Sequence, residues 1–316
     1  MSFEWSPNSK LETQNSKHRT FAPMHHSHPP PATRDWLTLF ALAFVWGFSF
    51  ILIKRSIAIF TPMQAAMWRM SLATVAYLPI AILYWSKIDW KAWKFYVIVA
   101  LSGSAIPNFI FAFAQKHVSS SLAGVLNSLT PLFTLILGAL FFQLILSKGK
   151  IWGVVMGFIG ATILIVFNAN SAVEGNTAYA FLCAFATIFY AINSNVIGKY
   201  LRGHHPAAIA SGAFLLLGIP FIVGLFWSGG WEAAHTHPDG WKGVGYLAIL
   251  AVVSTTMASI IYFTLMQRTG PIFATSVTFL LPVMTIIIGA LDGEAIGVWD
   301  LAGTGVILYG LYLARK

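Results

Sequence analysis

Ten stretches of about twenty predominantly apolar residues follow one another along this chain, near 36–58, 62–85, 95–115, 119–143, 150–168, 177–199, 206–227, 243–266, 271–291 and 297–314. A hydrocarbon core about 30 Å thick takes roughly 20 helical residues at about 1.5 Å each. In lipid the backbone must pair its own polar groups, so runs of this length and spacing are confined to helices. The expected fold is an all-α integral membrane protein with ten transmembrane helices. Composition agrees: of 316 residues, 57% are hydrophobic and 9% charged, against roughly 25% charged in soluble domains.

The net charge of +9 does not point to nucleic acid, because Lys and Arg stand singly at the ends of apolar runs and not in a stripe with aromatics. With a cytoplasmic N-terminus, the inner segments would hold fourteen Lys and Arg and the outer loops four, Lys54, Arg55, Lys116 and Lys242. That asymmetry predicts both termini on the cytoplasmic side of a bacterial inner membrane. Residues 1–34 are polar and contain 29-PPP-31, so they read as a disordered tail without a signal peptide. His25, His26 and His28 in that tail read as solvated, and no metal or cofactor is expected. Cys183, the single cysteine, lies in an apolar run and reads as a core residue.

The stretch 115-QKHVSSSLAGVLNSLTPLFTLILGA-139 parallels 267-QRTGPIFATSVTFLLPVMTIIIGA-290. Each starts with Gln and a basic residue, and Pro131 and Pro282 then fall in the middle of the following span. Gly138 and Gly289 stand seven residues beyond those prolines. Each copy holds five spans, at 35–170 and 176–316. Five is odd, so the second copy enters from the opposite face. The expectation is a pair of inverted-topology five-helix repeats, an arrangement that lets two halves open to opposite sides.

With these features the chain resembles the EamA-type branch of the drug/metabolite transporter superfamily. The resemblance rests on Trp46-Gly47, Arg69 after Pro62, the Gln-basic pairs, Pro131 and Pro282, and 294-EAIGVWDLAG-303. It implies two five-helix repeats and the export of amino acids, small metabolites or drugs. It also implies a dimer or scaffold role for the last helix of each repeat, which keeps a homodimer open. The family's Glu ahead of the last helix is present as Glu294, whereas Gln143 stands at the matching place in the first copy.

Polar groups at membrane depth are costly, and so they mark a solute path. Arg69 either snorkels to the outer face or faces an internal cavity and meets a substrate carboxylate. Glu294 and Asp300 are its expected charge partners and candidate gate residues. Asn108, Asn127, Asn193 and Thr255 are the uncharged candidates for lining the path, with Trp46, Trp68, Phe111, Tyr190 and Tyr262 as aromatic ones. Pro131 and Pro282 are expected to kink their helices and free backbone carbonyls. Gly153 and Gly157 form a GxxxG face suited to close helix packing.

No Ser–His pair, paired Asp or zinc motif lies at depth, which argues against an intramembrane enzyme. No ring motif suggests a channel filter. With neither an acid nor a His in mid-span, exchange or facilitated diffusion fits better than a proton relay. The expected function is a carrier of small organic solutes, best read as an exporter of amino acids or related metabolites working by alternating access. Drug efflux, metabolite uptake and a non-transporting scaffold stay open at this stage.

Overall fold

In the computed structural model, which describes residues 31–142, 147–168 and 177–315, every regular element is a helix. Helix α1 (Thr33–Ile57) starts two residues inside the stretch read as tail, where the Asp35 carboxylate accepts the Ala32 N–H at 2.9 Å and fixes the first turn. The remaining tail, with His25, His26 and His28, lies outside the described residues, as does Gln143. Helix α2 (Pro62–Leu83) opens on a capping box. Thr61 Oγ1 accepts the Gln64 N–H at 3.3 Å, and Gln64 Oε1 accepts the Thr61 N–H at 3.0 Å. Pro62 sits in the first turn, where a missing N–H leaves no bond unmade.

Helices α3 (Trp93–Ala100) and α4 (Ile106–Ala114) form one rod joined by a wide π turn at Leu101–Ala105. The next rod is broken in its middle, between α5 (Ser120–Asn127) and α6 (Thr130–Phe142). Helices α7 (Lys148–Asn168), α8 (Thr177–Tyr200) and α9 (Pro206–Trp227) are continuous. A short α10 (Gly230–Thr236) leads to α11 (Gly240–Ile249) and α12 (Ala258–Thr269), joined by a second π turn at Leu250–Met257. A break then separates α13 (Pro271–Thr275) from α14 (Leu281–Leu291), and α15 (Val298–Arg315) closes the chain. The π turns and the mid-rod breaks thus recur in the same order in both halves.

The prolines expected to kink helices instead start new ones. Pro131 and Pro282 lie in the first turns of α6 and α14, after breaks at Ser128–Leu129 and Ser276–Leu280. The carbonyls freed there are met by nearby hydroxyls. Thr130 Oγ1 donates to the Asn127 carbonyl and Thr278 Oγ1 to that of Thr275, each at 2.8 Å. Such local repair is what makes a break tolerable at membrane depth.

Among the described residues, eight helices or rods are long and apolar enough to cross a membrane, and Val298–Leu313 is a shorter apolar helix. Large apolar side chains such as Leu83, Trp227 and Leu291 stand open on the outside, as lipid-facing helices require.

α7 and α15 pack backbone to backbone through glycines, as the GxxxG face at Gly153 and Gly157 suggests. A Cβ at Gly160 would lie 2.7 Å from the Gly303 carbonyl oxygen, and one at Gly310 would lie 2.7 Å from that of Gly153. Nothing lies within 4 Å of a Cβ at Gly305 on the same helix. Gly160→Val should therefore force the pair apart and cost about 1–3 kcal/mol, read as a lower melting midpoint in detergent. Gly305→Val should leave the midpoint unchanged, and equal effects of the two changes would contradict this packing.

Candidate functional site

The helices line a cavity of about 120 Å³. A water molecule needs roughly 10–15 Å³ by this measure, so several waters or a small solute fit. Both halves of the chain build its wall. Trp46 comes from α1, Arg69 from α2, Asn108 and Phe111 from α4, and Asn127 from the end of α5. Tyr190 and Asn193 come from α8, Thr255 from the second π turn and Tyr262 from α12. Nine of the ten expected path residues thus meet at one place. Trp68 does not. Its Nε1 donates to the Gly230 carbonyl at 2.9 Å and its ring stacks on Trp231 at 5.8 Å, which fastens α2 to α10 away from the cavity.

Arg69 faces this cavity and does not snorkel to the surface. Its Nε donates to Thr255 Oγ1 at 3.1 Å and its Nη1 to Asn108 Oδ1 at 3.0 Å. Both acceptors are neutral, and among the described residues the cavity wall contains no Asp or Glu. Local structure places each partner. The π turn brings Thr255 round to α2, and Pro107 in the first turn of α4 precedes Asn108.

The second π turn is held from the other half of the molecule. Trp46 Nε1 donates to the Ser254 carbonyl at 3.1 Å, and the Tyr77 hydroxyl donates to the Thr255 carbonyl at 3.0 Å. Ser49 and Ser254 share a hydroxyl hydrogen bond of 2.6 Å. Widening a helix by one residue per turn strips carbonyls of their usual partners, and these side chains supply replacements. The aromatic wall is ordered by ring contacts, with Trp46 against Tyr262 at 5.1 Å and Phe111 against Tyr190 at 6.3 Å.

The expectation that Glu294 or Asp300 answers Arg69 is corrected. Glu294 lies at the end of the bundle where α1 finishes, and its carboxylate accepts Lys54 Nζ at 2.9 Å. It also accepts the hydroxyls of Ser120 and Ser121 at 2.6 Å each, and their backbone N–H groups at 3.1 and 3.0 Å. The carboxylate thus caps the start of α5, where orphan N–H groups and the helix dipole favour an anion. Asp300 accepts the Gly297 N–H at 2.8 Å, at the start of α15. Asp292 extends the Glu294 cluster by pairing with Lys54 at 3.0 Å and with Arg55.

Beneath this cluster the two halves touch. A Cβ at Gly289 would lie 2.0 Å from Ser121 Oγ, and one at Gly124 would lie 2.2 Å from Thr285 Cγ2. The seam between α5 and α14 is therefore shut at this end. Sequence reasoning counted Lys54 only as an orienting loop charge. The serine run 119–121 ahead of an apolar stretch was a cap signal that could have drawn attention to a carboxylate partner.

Chemically, the arrangement offers one fixed cation, neutral hydrogen-bonding groups and aromatic surface around one cavity. That suits an organic solute with an anionic group. Among the described residues no three His, Cys, Asp or Glu gather as metal ligands.

Residues 35–166 and 177–315 each match the EamA-like transporter family. An uncharacterized inner membrane transporter of Escherichia coli K12, YedA, is 27% identical over 87% of this chain and 88% of its own length. A probable amino-acid metabolite efflux pump of Salmonella typhimurium is 25% identical over 89% of this chain and 94% of its own. A solved crystal structure with 14% identity superposes with a TM-score of 0.58, covering 90% of this chain and 97% of that one, which speaks to the fold alone.

Burial would raise the pKa of Glu294, but hydrogen bonds from Ser120, Ser121 and Lys54 outweigh it and hold the pKa down at about 2. A depressed carboxyl stabilises the fold above its unfolded value of roughly 4.3, and that stability is lost only as the pH falls through the folded value. Glu294→Gln should therefore lower the melting midpoint at pH 7, and most of the deficit should persist at pH 4. If wild type and variant converge by pH 4, the carboxylate is not held as described.

Proposed function

Because the chain belongs to the EamA-like transporter family and is thus a multi-pass membrane transporter, we propose that it exports small carboxylate-bearing solutes, amino acids or related metabolites, by alternating access. The observation that carries this reading is Arg69. A guanidinium has five N–H donors, and among the described residues two are met by neutral protein oxygens. A cation in a low-dielectric interior costs several kcal/mol unless its charge is answered, and a solute carboxylate in the cavity answers it. The name of the Salmonella relative, an amino-acid metabolite efflux pump, points to the same solute class.

The reading includes a topology. Adding α7 and α15 to the eight qualifying spans makes ten, arranged as inverted five-helix repeats over 35–170 and 176–316. Both termini lie on the cytoplasmic side of a bacterial inner membrane. The excess of Lys and Arg on the segments assigned to that side supports the orientation, and the inner-membrane name of the Escherichia coli relative supports the location. Alternating access would rock the halves about the cavity, with the Lys54–Glu294–Ser120 cluster as the contact that parts when the far side opens. The bilayer is the surrounding partner, a homodimer through the last helix of a repeat is part of the reading, and no nucleic acid or cofactor takes part.

The test is counterflow of radiolabelled solutes into proteoliposomes of the full chain. Saturable exchange should appear for solutes bearing a carboxylate. Arg69→Gln should weaken their half-saturation about ten- to a hundredfold, the range expected for losing a hydrogen bond to a charged group. Arg69→Lys should keep part of the affinity. A panel in which only cations or uncharged solutes exchange, or Arg69→Gln exchange at wild-type half-saturation, overturns the reading.

A further inference from the structure

Four asparagines sit within the membrane-spanning helices around the cavity, and the structure divides them into two kinds. Asn108 is occupied by the protein: its Oδ1 accepts from Arg69 at 3.0 Å and its Nδ2 faces the Ala66 carbonyl at 3.5 Å. Asn195 is occupied too, its Nδ2 donating to the Thr134 carbonyl at 3.1 Å and to that of Ala191 at 3.0 Å. Asn127 and Asn193 differ. Both line the cavity, at 9% and 5% exposure, and the carbonyl oxygen of each is buried with no hydrogen-bond partner among the described residues.

A buried amide left unpaired is a standing cost, and native proteins keep few such groups without a reason. Neither amide is slack in its placement. Asn127 ends α5 at the mid-rod break, where its own backbone carbonyl is tied by Thr130 Oγ1. The Asn193 side chain packs on Gly103 in the first π turn, where any Cβ would lie 2.8 Å from its amide carbon. The backbone around both is thus built to hold an amide in the wall.

An amide carbonyl accepts hydrogen bonds and cannot donate them, so what it lacks is a donor. The cavity wall already carries a cation for the acidic end of a solute, and among the described residues it holds no carboxylate that could receive a basic end. We propose that Asn127 and Asn193 form a second subsite, one that receives the ammonium group of an α-amino acid whose carboxylate is held by Arg69. This rests on the carboxylate reading of Arg69 and adds a residue-level basis for selectivity. The two amides are the residues that distinguish an amino acid from the same carboxylic acid without its amino group. A neutral amide serves this end better than an acid would, because it binds the ammonium without a permanent ion pair to Arg69 that would close the site when empty.

The experiment uses the full chain in proteoliposomes and measures inhibition of amino-acid counterflow by a matched trio. L-Leucine carries both groups, 4-methylpentanoate lacks the ammonium and 3-methylbutylamine lacks the carboxylate. Direct binding of the same trio to detergent-purified protein is read by tryptophan fluorescence, with Trp46 in the cavity wall. In the wild type, leucine should bind about ten- to a hundredfold tighter than 4-methylpentanoate, the worth of hydrogen bonds to one charged group. Asn127→Ala and Asn193→Ala should lose most of that ratio by weakening leucine while 4-methylpentanoate binds as before. Asn193→Asp, close to isosteric, should raise the ratio by strengthening the ammonium contact, even though its attraction for Arg69 weakens both ligands. Melting midpoints show whether each variant is folded, and the aspartate variant reads the subsite if the alanine variants are not.

Equal weakening of leucine and 4-methylpentanoate by the alanine changes would overturn the proposal, because the amides would then only shape the cavity. So would a wild type that binds 4-methylpentanoate as well as leucine, with water satisfying both amides. In either case loss of both ligands in Arg69→Gln leaves the carboxylate reading intact. Full retention of both in Arg69→Gln removes that reading, and this subsite with it.

Discussion

A guanidinium inside a bundle of apolar helices is the constraint around which this structure is arranged. Arg69 cannot shed its charge at any physiological pH, and moving a cation away from water costs several kcal/mol even after the surroundings relax. The protein meets the cost partly with neutral dipoles. Thr255 and Asn108 take two of its donors, and the cavity leaves the side chain partly accessible. The cavity is therefore both the consequence of the arginine and the place where its charge can be used.

The supporting structure follows from that requirement. Thr255 reaches Arg69 because the rod of α11 and α12 is widened into a π turn, and the turn persists because Trp46, Tyr77 and Ser49 take up the groups it frees. Trp46 and Ser49 lie on α1 and Tyr77 on α2, so the site is assembled across the two halves. At the end of the bundle where α1 finishes, a separate set of charges is fully paired within the protein, with Glu294 shared between Lys54 and the start of α5. The acids of that cluster are paired with cations, whereas among the described residues Arg69 meets only neutral acceptors, and on the reading proposed above that leaves it for a solute.

Much of this could be read from the sequence because membrane depth makes polar residues conspicuous. Arg69, Asn108, Asn127, Asn193 and Thr255 each interrupt an apolar run, and all five line the cavity. Helix limits were legible for a similar reason, since Thr61, Pro62 and Gln64 carry cap chemistry in their identities. Directions around a helix axis were not legible. The helices are apolar on nearly every side, so no periodicity tells Trp46, which faces the cavity, from Trp68, which faces Trp231. Asn193 and Asn195 looked alike for the same reason, although Asn195 is tied to two backbone carbonyls while the amide oxygen of Asn193 has no hydrogen-bond partner among the described residues. The partner of Glu294 was hidden because it depends on how chain ends far apart in sequence meet in space. The breaks ahead of Pro131 and Pro282 were anticipated as kinks, since a proline signals an interrupted helix without saying whether it bends or starts anew.

The central claim is that the charge of Arg69 is answered by the solute and not by the protein. The most direct test is an electron cryomicroscopy map of the full chain in a lipid nanodisc, recorded with and without an L-amino acid that counterflow shows to be exchanged. The account predicts ligand density in the cavity with its carboxylate within hydrogen-bond distance of the Arg69 guanidinium, and only solvent beside that group in the ligand-free map. A map in which an aspartate or glutamate side chain pairs with Arg69, or in which the ligand lies away from it, would contradict the account.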